Sequence, residues 1–280
     1  MSDYLFQRPA AFIRLEGEDA EDFLQSQCSA DLSGLDAQGR DTLWLNHKGK
    51  LVGDSRVWRM EDEVFGILSW YTPAAELLKT IDAHIIADDV EFEDCTDAVT
   101  GVLSDVDWPE GLTALWQGTG IGRFAQAALL EQKDSEAARA TLEAAGLQAV
   151  EPNELERARI AAGVLRIPAD AGADFTPLDV GLEEQVSFTK GCFLGQEVVA
   201  RMHRLDRHLW QALRLRSSSP VEATPALPLA LTAAGQSVGQ LTSATLFPDG
   251  HLQGIAVVKR KAEGPYLSED GVEWGEELRG

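Results

Sequence analysis

The stretch Lys190-Gly191-Cys192-Phe193-Leu194-Gly195-Gln196-Glu197 decides how this chain is read. Two glycines bracket a lone cysteine, and a lysine stands two residues before it. Glycine tolerates backbone angles that other residues resist, so the segment can bend sharply and expose backbone N–H groups. Residues 186–189 before it (Val-Ser-Phe-Thr) predict a strand. From Gln196 to Arg201 the Glu, Ala and Arg predict a helix against the mild resistance of two valines. A thiol close to a helix start and to a cationic lysine is expected to have a lowered pKa. Cys192 is therefore a candidate reactive or metal-handling thiol on a rigid turn. The alternative is a tight strand-to-helix turn around a small, buried cysteine.

Working outward from this turn, the texture before it is mixed. Strands are expected at 10–15, 42–45, 51–58, 64–68, 99–104 and 112–116. Helices are expected at 17–27, 73–84, 121–131, 135–145 and 153–162. Asp19 and Glu21 fall in the first turn of the first, Pro73 starts the second, Gly146 ends the fourth and Asn153 is a cap candidate for the fifth. Residues 172–184 read as loop. Past Arg207 the pattern changes to short strands at 209–215, 229–232, 236–242 and 251–258, separated by Ser-Ser-Ser-Pro, Ala-Ala-Gly and Pro-Asp-Gly turns. The fold class is thus α+β, with a core over 1–205 and a small β-barrel over 206–280.

Composition narrows the function. The 280 residues carry 46 acids against 24 Lys and Arg, a net charge of −22. Such a field repels polyanions, so no direct nucleic-acid contact is expected. The one basic cluster is Arg201, His203, Arg204, Arg207 and His208, too small for a duplex. It suits a small anion or, alternatively, is a solvated helix end complementing the macrodipole. Cys28, Cys95 and Cys192 are few, odd in number and widely spaced, so no disulfide framework is expected. No apolar run approaches a membrane span, and the first residues do not read as a signal peptide; a cytoplasmic location is the expectation. No His or Cys pair has zinc-site spacing, so no metal site is expected. Gly120-Ile121-Gly122-Arg123-Phe124-Ala125 matches G-x-G-x-x-A but lacks an acid at the end of a following strand, which favours a turn over a dinucleotide site.

Lys190-Gly191-Cys192-Phe193-x-Gly195-Gln196-Glu197, followed by Ala200-Arg201, resembles the signature of the YgfZ family, folate-binding proteins related to the T-protein (aminomethyltransferase) of the glycine cleavage system. The resemblance extends to residues 17–31, to Lys48-Gly49-Lys50 with Asp54, to Arg159-Ile160-Ala161-Ala162-Gly163, and to the segments 239–244 and 254–258. It implies a T-protein-like core of interleaved α+β units followed by a β-barrel. It also implies tetrahydrofolate as ligand, held by Asp31, Lys190, Gly191, Gly195, Gln196, Glu197 and Arg201, with Cys192 and Asp54 as the candidate catalytic residues. Glu197 is expected either to meet pterin nitrogens or to cap the following helix.

Three functions stay open. The resemblance implies an accessory protein that supports iron–sulfur enzymes, including tRNA-modifying ones, with the cluster belonging to client or assembly proteins or bound only transiently. A folate-dependent one-carbon transferase would use Asp54 as its acid. In the relatives' "G-G-x-x-D-D" hairpin and "R-I-E-x-G" segment, however, this chain has Gly53 beside Asp54 and Ala161 in place of Glu. A non-catalytic interaction module is the third reading.

Overall fold

The computed structural model describes residues 2–85 and 88–277. In chain order the first elements are β1 (Asp3–Gln7), β2 (Ala11–Glu16), α1 (Ala20–Gln27), β3 (Arg40–Leu45), β4 (Leu51–Glu61), β5 (Val64–Ser69), α2 (Ala74–Asp82) and β6 (Glu91–Asp94). There follow β7 (Val99–Ser104), β8 (Trp116–Ile121), β9 (Phe124–Glu131), α3 (Ser135–Ala144), β10 (Gln148–Ala149) and α4 (Pro152–Ala162). The chain ends with α5 (Gln196–Leu205), β11 (Trp210–Ser217), β12 (Leu229–Ala233), β13 (Gln236–Leu246), β14 (Leu252–Lys259), β15 (Tyr266–Ser268) and β16 (Glu273–Glu276).

These strands form two five-stranded sheets, ordered β3-β4-β5-β2-β6 and β10-β1-β7-β9-β8, and a closed barrel, β11-β14-β13-β12-β15-β16. The α+β core with a terminal barrel is the expected fold class. Alternation drives the first sheet: Ala11, Ile13 and Leu15 are buried on one face, where they meet Phe23 and Leu24 of α1 and Leu77 and Ile81 of α2. Leu5, Phe12, Trp58, Trp116 and Phe124 fill the space between the two sheets. A third cluster joins Leu43, Leu45 and Leu51 to Ile160 of α4, Val199 of α5, and Ile255 and Val257 of β14, so the barrel is welded to the core through shared apolar surface.

Several expectations are corrected. Residues 121–131 are not a helix. Ile121 pairs with Phe124 across a hairpin whose Gly122 has φ +57, and β9 pairs with β7 from Val99–Glu131 to Ser104–Gln126. That same hairpin is what the G-x-G-x-x-A match encodes. Residues 112–115 precede β8 and are not strand, and residues 186–189 run as irregular chain. Asn153 does not cap α4: Glu151 holds the N-cap position and Pro152 the first turn, where its missing N–H costs nothing.

Candidate functional site

The 190–197 turn is built from the inside out. Lys190 Nζ donates to three carbonyls, Gln25 O (2.7 Å), Cys28 O (2.7 Å) and Ala30 O (2.6 Å), which close the C-terminal end of α1 and the segment after it. Its ammonium also lies 5.1 Å from the Phe193 ring centroid. Burial pulls the lysine below its ordinary pKa. Lys190 is therefore a clamp on α1, and the sequence expectation that it serves the Cys192 thiolate is corrected: its charge acts on Cys28, whose thiol burial pushes up. Cys28 is fully buried, with Sγ against Leu24 O at 3.1 Å. Cys192 is exposed.

Gly195 fixes the other end of the turn. Its φ is +81, and a Cβ there would sit 2.6 Å from Asn46 O and 2.9 Å from Gly49 Cα. Gly49, at φ +68, in turn lies against Gly195 O and the side chain of Val199. The Lys48-Gly49-Lys50 hairpin and the cysteine turn thus pack backbone on backbone, which requires glycine on both sides. Leu194 N donates to Ser26 O (3.1 Å), and Gln196 Nε2 reaches Gly191 O (3.3 Å). Glu197 is exposed and makes no cap on α5.

Asp31 stands beside this assembly. Its Oδ1 accepts from Ser33 N (3.0 Å) and Gln25 Nε2 (2.7 Å), and the backbone bond above all brings its carboxyl down to about 2. Arg201 projects from the exposed side of α5 and joins none of these groups.

Asp54 lies apart from the turn, on β4. Burial is the first cause that raises its carboxyl to about 6, opposed by hydroxyls of Thr72 and Ser69. The hydrogen-bond geometry supports the same conclusion independently. Thr72 Oγ1 is 2.7 Å from Asp54 Oδ1 and 2.8 Å from Ile167 O. A hydroxyl has one proton and cannot satisfy both acceptors. A protonated Asp54 donates to Thr72, and Thr72 then donates to Ile167. Ser69 Oγ, 3.3 Å away, completes the set while accepting from Thr72 N (2.9 Å).

Between core and barrel lies a second polar knot, which sequence reading noticed only as the Arg159-Ile160 motif. Arg159 is 0% exposed, yet all its donors are occupied: Glu156 twice (2.9 and 2.7 Å), Asp170 Oδ2 (2.9 Å), Val164 O (2.6 Å) and Ser243 Oγ (2.7 Å). Ser243 donates to Asp170 Oδ1 at 2.5 Å. Two buried groups beside it make no hydrogen bond, Tyr71 Oη and Arg166 Nε. Burial raises the Tyr71 pKa, so its hydroxyl stays protonated.

Two cavities flank the barrel. One of about 840 Å³ is lined by Ala161, Leu178, Trp210, Ile255, Arg214 and Glu277, among others. Glu277 Oε2 is buried without a hydrogen-bond partner. The second, of about 1040 Å³, lies between residues 166–175 and the barrel, with Phe175 and Trp210 edge to face at 5.6 Å. Neither cavity is lined by Asp31, Asp54 or the 190–197 turn. Trp210 and Glu277, on the barrel, carried no motif that could have marked them in the sequence. Among the described residues, no group of three or more His, Cys, Asp and Glu is placed to hold a metal ion.

A model of the GCVT N-terminal domain matches residues 9–103. The structure of aminomethyltransferase T of the glycine cleavage system from Bartonella henselae superposes with a TM-score of 0.81 over 99% of this chain and 85% of that one, at 16% identity. The fold is T-protein-like. A chloroplastic protein of Arabidopsis thaliana, named as a candidate transferase, is 25% identical over 280 residues, covering 89% of this chain. The chain spans 63% of that protein's length. An uncharacterized protein of Haemophilus influenzae is 25% identical over 253 residues, 87% of this chain and 85% of its own.

Proposed function

We propose that this chain is a tetrahydrofolate-binding accessory protein that supports iron–sulfur enzymes, tRNA-modifying ones among them. The observation that carries the folate part is the cavity of about 840 Å³ at the junction of α4 and the barrel. Its volume is that of a pocket for a ligand of this size. The lining suits the molecule. Trp210 offers a flat apolar face, with Leu165, Leu178 and Ile255 as wall. Glu277 Oε2 is an orphaned acceptor for heterocycle N–H groups, and Arg214 and Arg260 have the sign that carboxylates need.

The iron–sulfur part rests on the 190–197 turn and its resemblance to the YgfZ signature. Cys192 is the outward thiol. Gly191 and Gly195 shape its turn, Lys190 and Asp31 stand at its inner side, and Gln196 and Glu197 border it. In this reading the cluster belongs to the client.

Calorimetric titration with tetrahydrofolate tests the folate part, and complementation tests the iron–sulfur part. Wild type and Cys192→Ala are expected to bind alike, and Trp210→Ala to lose most of the heat. Cys192→Ala is expected not to restore iron–sulfur enzyme activity in a cell lacking the protein. No heat and no rise in melting temperature at millimolar tetrahydrofolate would sink the folate reading. Full complementation by Cys192→Ala would sink the iron–sulfur one.

One observation favours a second reading, a folate-dependent one-carbon transferase. A carboxyl that titrates near 6 is suited to proton transfer close to neutral pH. That reading requires turnover with an inflection near this value, lost in Asp54→Asn.

A further inference from the structure

Most cations of this acid-rich chain are held by a partner. Arg8, Arg14, Arg56, Arg59, Arg123 and Arg216 pair with carboxylates, Arg40 and Arg214 donate to backbone carbonyls, and Arg139 lies over Phe6. Among the described residues, Arg201, Arg204 and Arg207 are the arginines whose side chains make no hydrogen bond, ion pair or ring contact. All three are exposed and lie within seven positions of one another.

Two exposed leucines lie in the same segment. Positions 197, 201, 204 and 205 form the outer stripe of α5, while Val199 faces the core. Leu205 is 50% exposed and Leu209 is 75% exposed, two of the few large apolar side chains in the chain left so open. Contacts at the helix end shape this surface. Asp206 closes α5 in the left-handed region at φ 46, and its carboxylate holds Arg260 at 3.1 Å and His208 at 3.4 Å. His203 stacks on Phe188 with ring centroids 4.1 Å apart. Attraction to the helix macrodipole accounts for a cation in the last turn, such as Arg204. It does not account for Arg201 a turn earlier, for Arg207 beyond the end, or for the leucines.

We infer that this surface docks a short acidic segment of a partner protein, its carboxylates on Arg201, Arg204 and Arg207 and its aliphatic side chains on Leu205 and Leu209. Arginine is the cation enriched at protein interfaces, where its planar fork takes a carboxylate through two bonds. The size of the patch selects the partner. At physiological ionic strength charges act over about 8 Å, so a short segment meets the patch alone. A nucleic-acid duplex or an anionic bilayer extends past it onto a surface where acids outnumber bases 46 to 24.

The test uses the full chain and a fluorescein-labelled synthetic peptide that alternates pairs of glutamate and leucine, read by anisotropy at low and at physiological ionic strength. The expected result is binding that weakens with salt. It should weaken about tenfold or more in Arg201→Gln/Arg204→Gln/Arg207→Gln, and further with Glu at the same positions. Leu205→Ser/Leu209→Ser should weaken it at both ionic strengths. These side chains are exposed, and a thermal melt of each variant checks that the fold is kept. Unchanged peptide binding in the glutamine variant overturns the proposal. So does tighter binding of a DNA duplex or of phosphatidylglycerol vesicles than of the peptide, and unchanged binding in the leucine variant overturns the apolar half of the assignment.

Discussion

Replacing Asp54 by asparagine tests the reading of the buried carboxyl through stability alone. The folded protein holds the Asp54 proton to about pH 6, against an ordinary value of 3.8. A raised value means that the folded state binds the proton more tightly than the unfolded chain does. The stabilisation from that proton is therefore complete below 3.8 and is lost as pH rises through about 6. The gap corresponds to about 3 kcal/mol, an upper figure for a side chain that is not wholly enclosed. Asparagine carries no charge to bury, its Nδ2 can donate to Thr72 as the protonated acid does, and an Oδ1 remains to accept from Ser69. Urea unfolding of both proteins across the range gives the comparison. Near pH 4 the two should agree within about 0.5 kcal/mol, and near pH 8 the variant should be more stable by about 2–3 kcal/mol. A difference that does not grow between these limits, or a variant that is weaker at the alkaline end, would refute both the raised pKa and the proton count at Thr72.

Lys190→Met leaves three carbonyls at the end of α1 without their donor and should cost about 2–3 kcal/mol in unfolding free energy, with amide exchange rising first in residues 20–30. Gly195→Ala forces a Cβ to within 2.6 Å of Asn46 O at φ +81, so it should lower stability by more than about 1 kcal/mol, measured by the same unfolding assay. Alkylation at neutral pH followed by mass spectrometry should modify exposed Cys192 first, then Cys95, then Cys28. Burial, before the nearby Glu93, raises the Cys95 thiol, whereas Cys28 is closed to reagent altogether; modification of Cys28 before Cys192 would contradict the packing.

What the sequence made legible was whatever local pattern alone determines. The alternation in β2, the hairpin of β3 and β4 and the four longer barrel strands were readable because turn residues bound each run. Residues 121–131 were not, since Ala125, Ala127, Ala128, Leu129 and Leu130 are good helix formers. Pairing with β7 overrides that preference, and Gly118 makes room for the Trp116 ring, which a Cβ would meet at 2.2 Å. Strand β6, Glu91-Phe92-Glu93-Asp94, is too charged to announce itself and exists because it pairs with the edge of β2. The 190–197 turn was legible as a glycine-bounded bend around a cysteine. Its lysine was misread, because the groups that decide its role lie at residues 25, 28 and 30, far away in sequence.

That misreading sharpens the case for Cys192. A lysine meant to activate the thiol would point toward it, yet Lys190 turns inward to α1 and Phe193 is buried in the cluster that joins core and barrel. Gly195 is pinned on Gly49. With anchors on either side, the backbone at residue 192 has little freedom, and the cysteine is held outward by its neighbours. A cysteine kept for packing would belong inside, as Cys28 does. The same anchors tie the thiol's position to the hairpin that leads into β4, since Gly49 stands in the turn that joins β3 to β4. Strain introduced at Gly49 should therefore change the reactivity of Cys192 and leave that of Cys95 unchanged, a coupling that follows from the contact between the two turns and from no property of the cysteine itself.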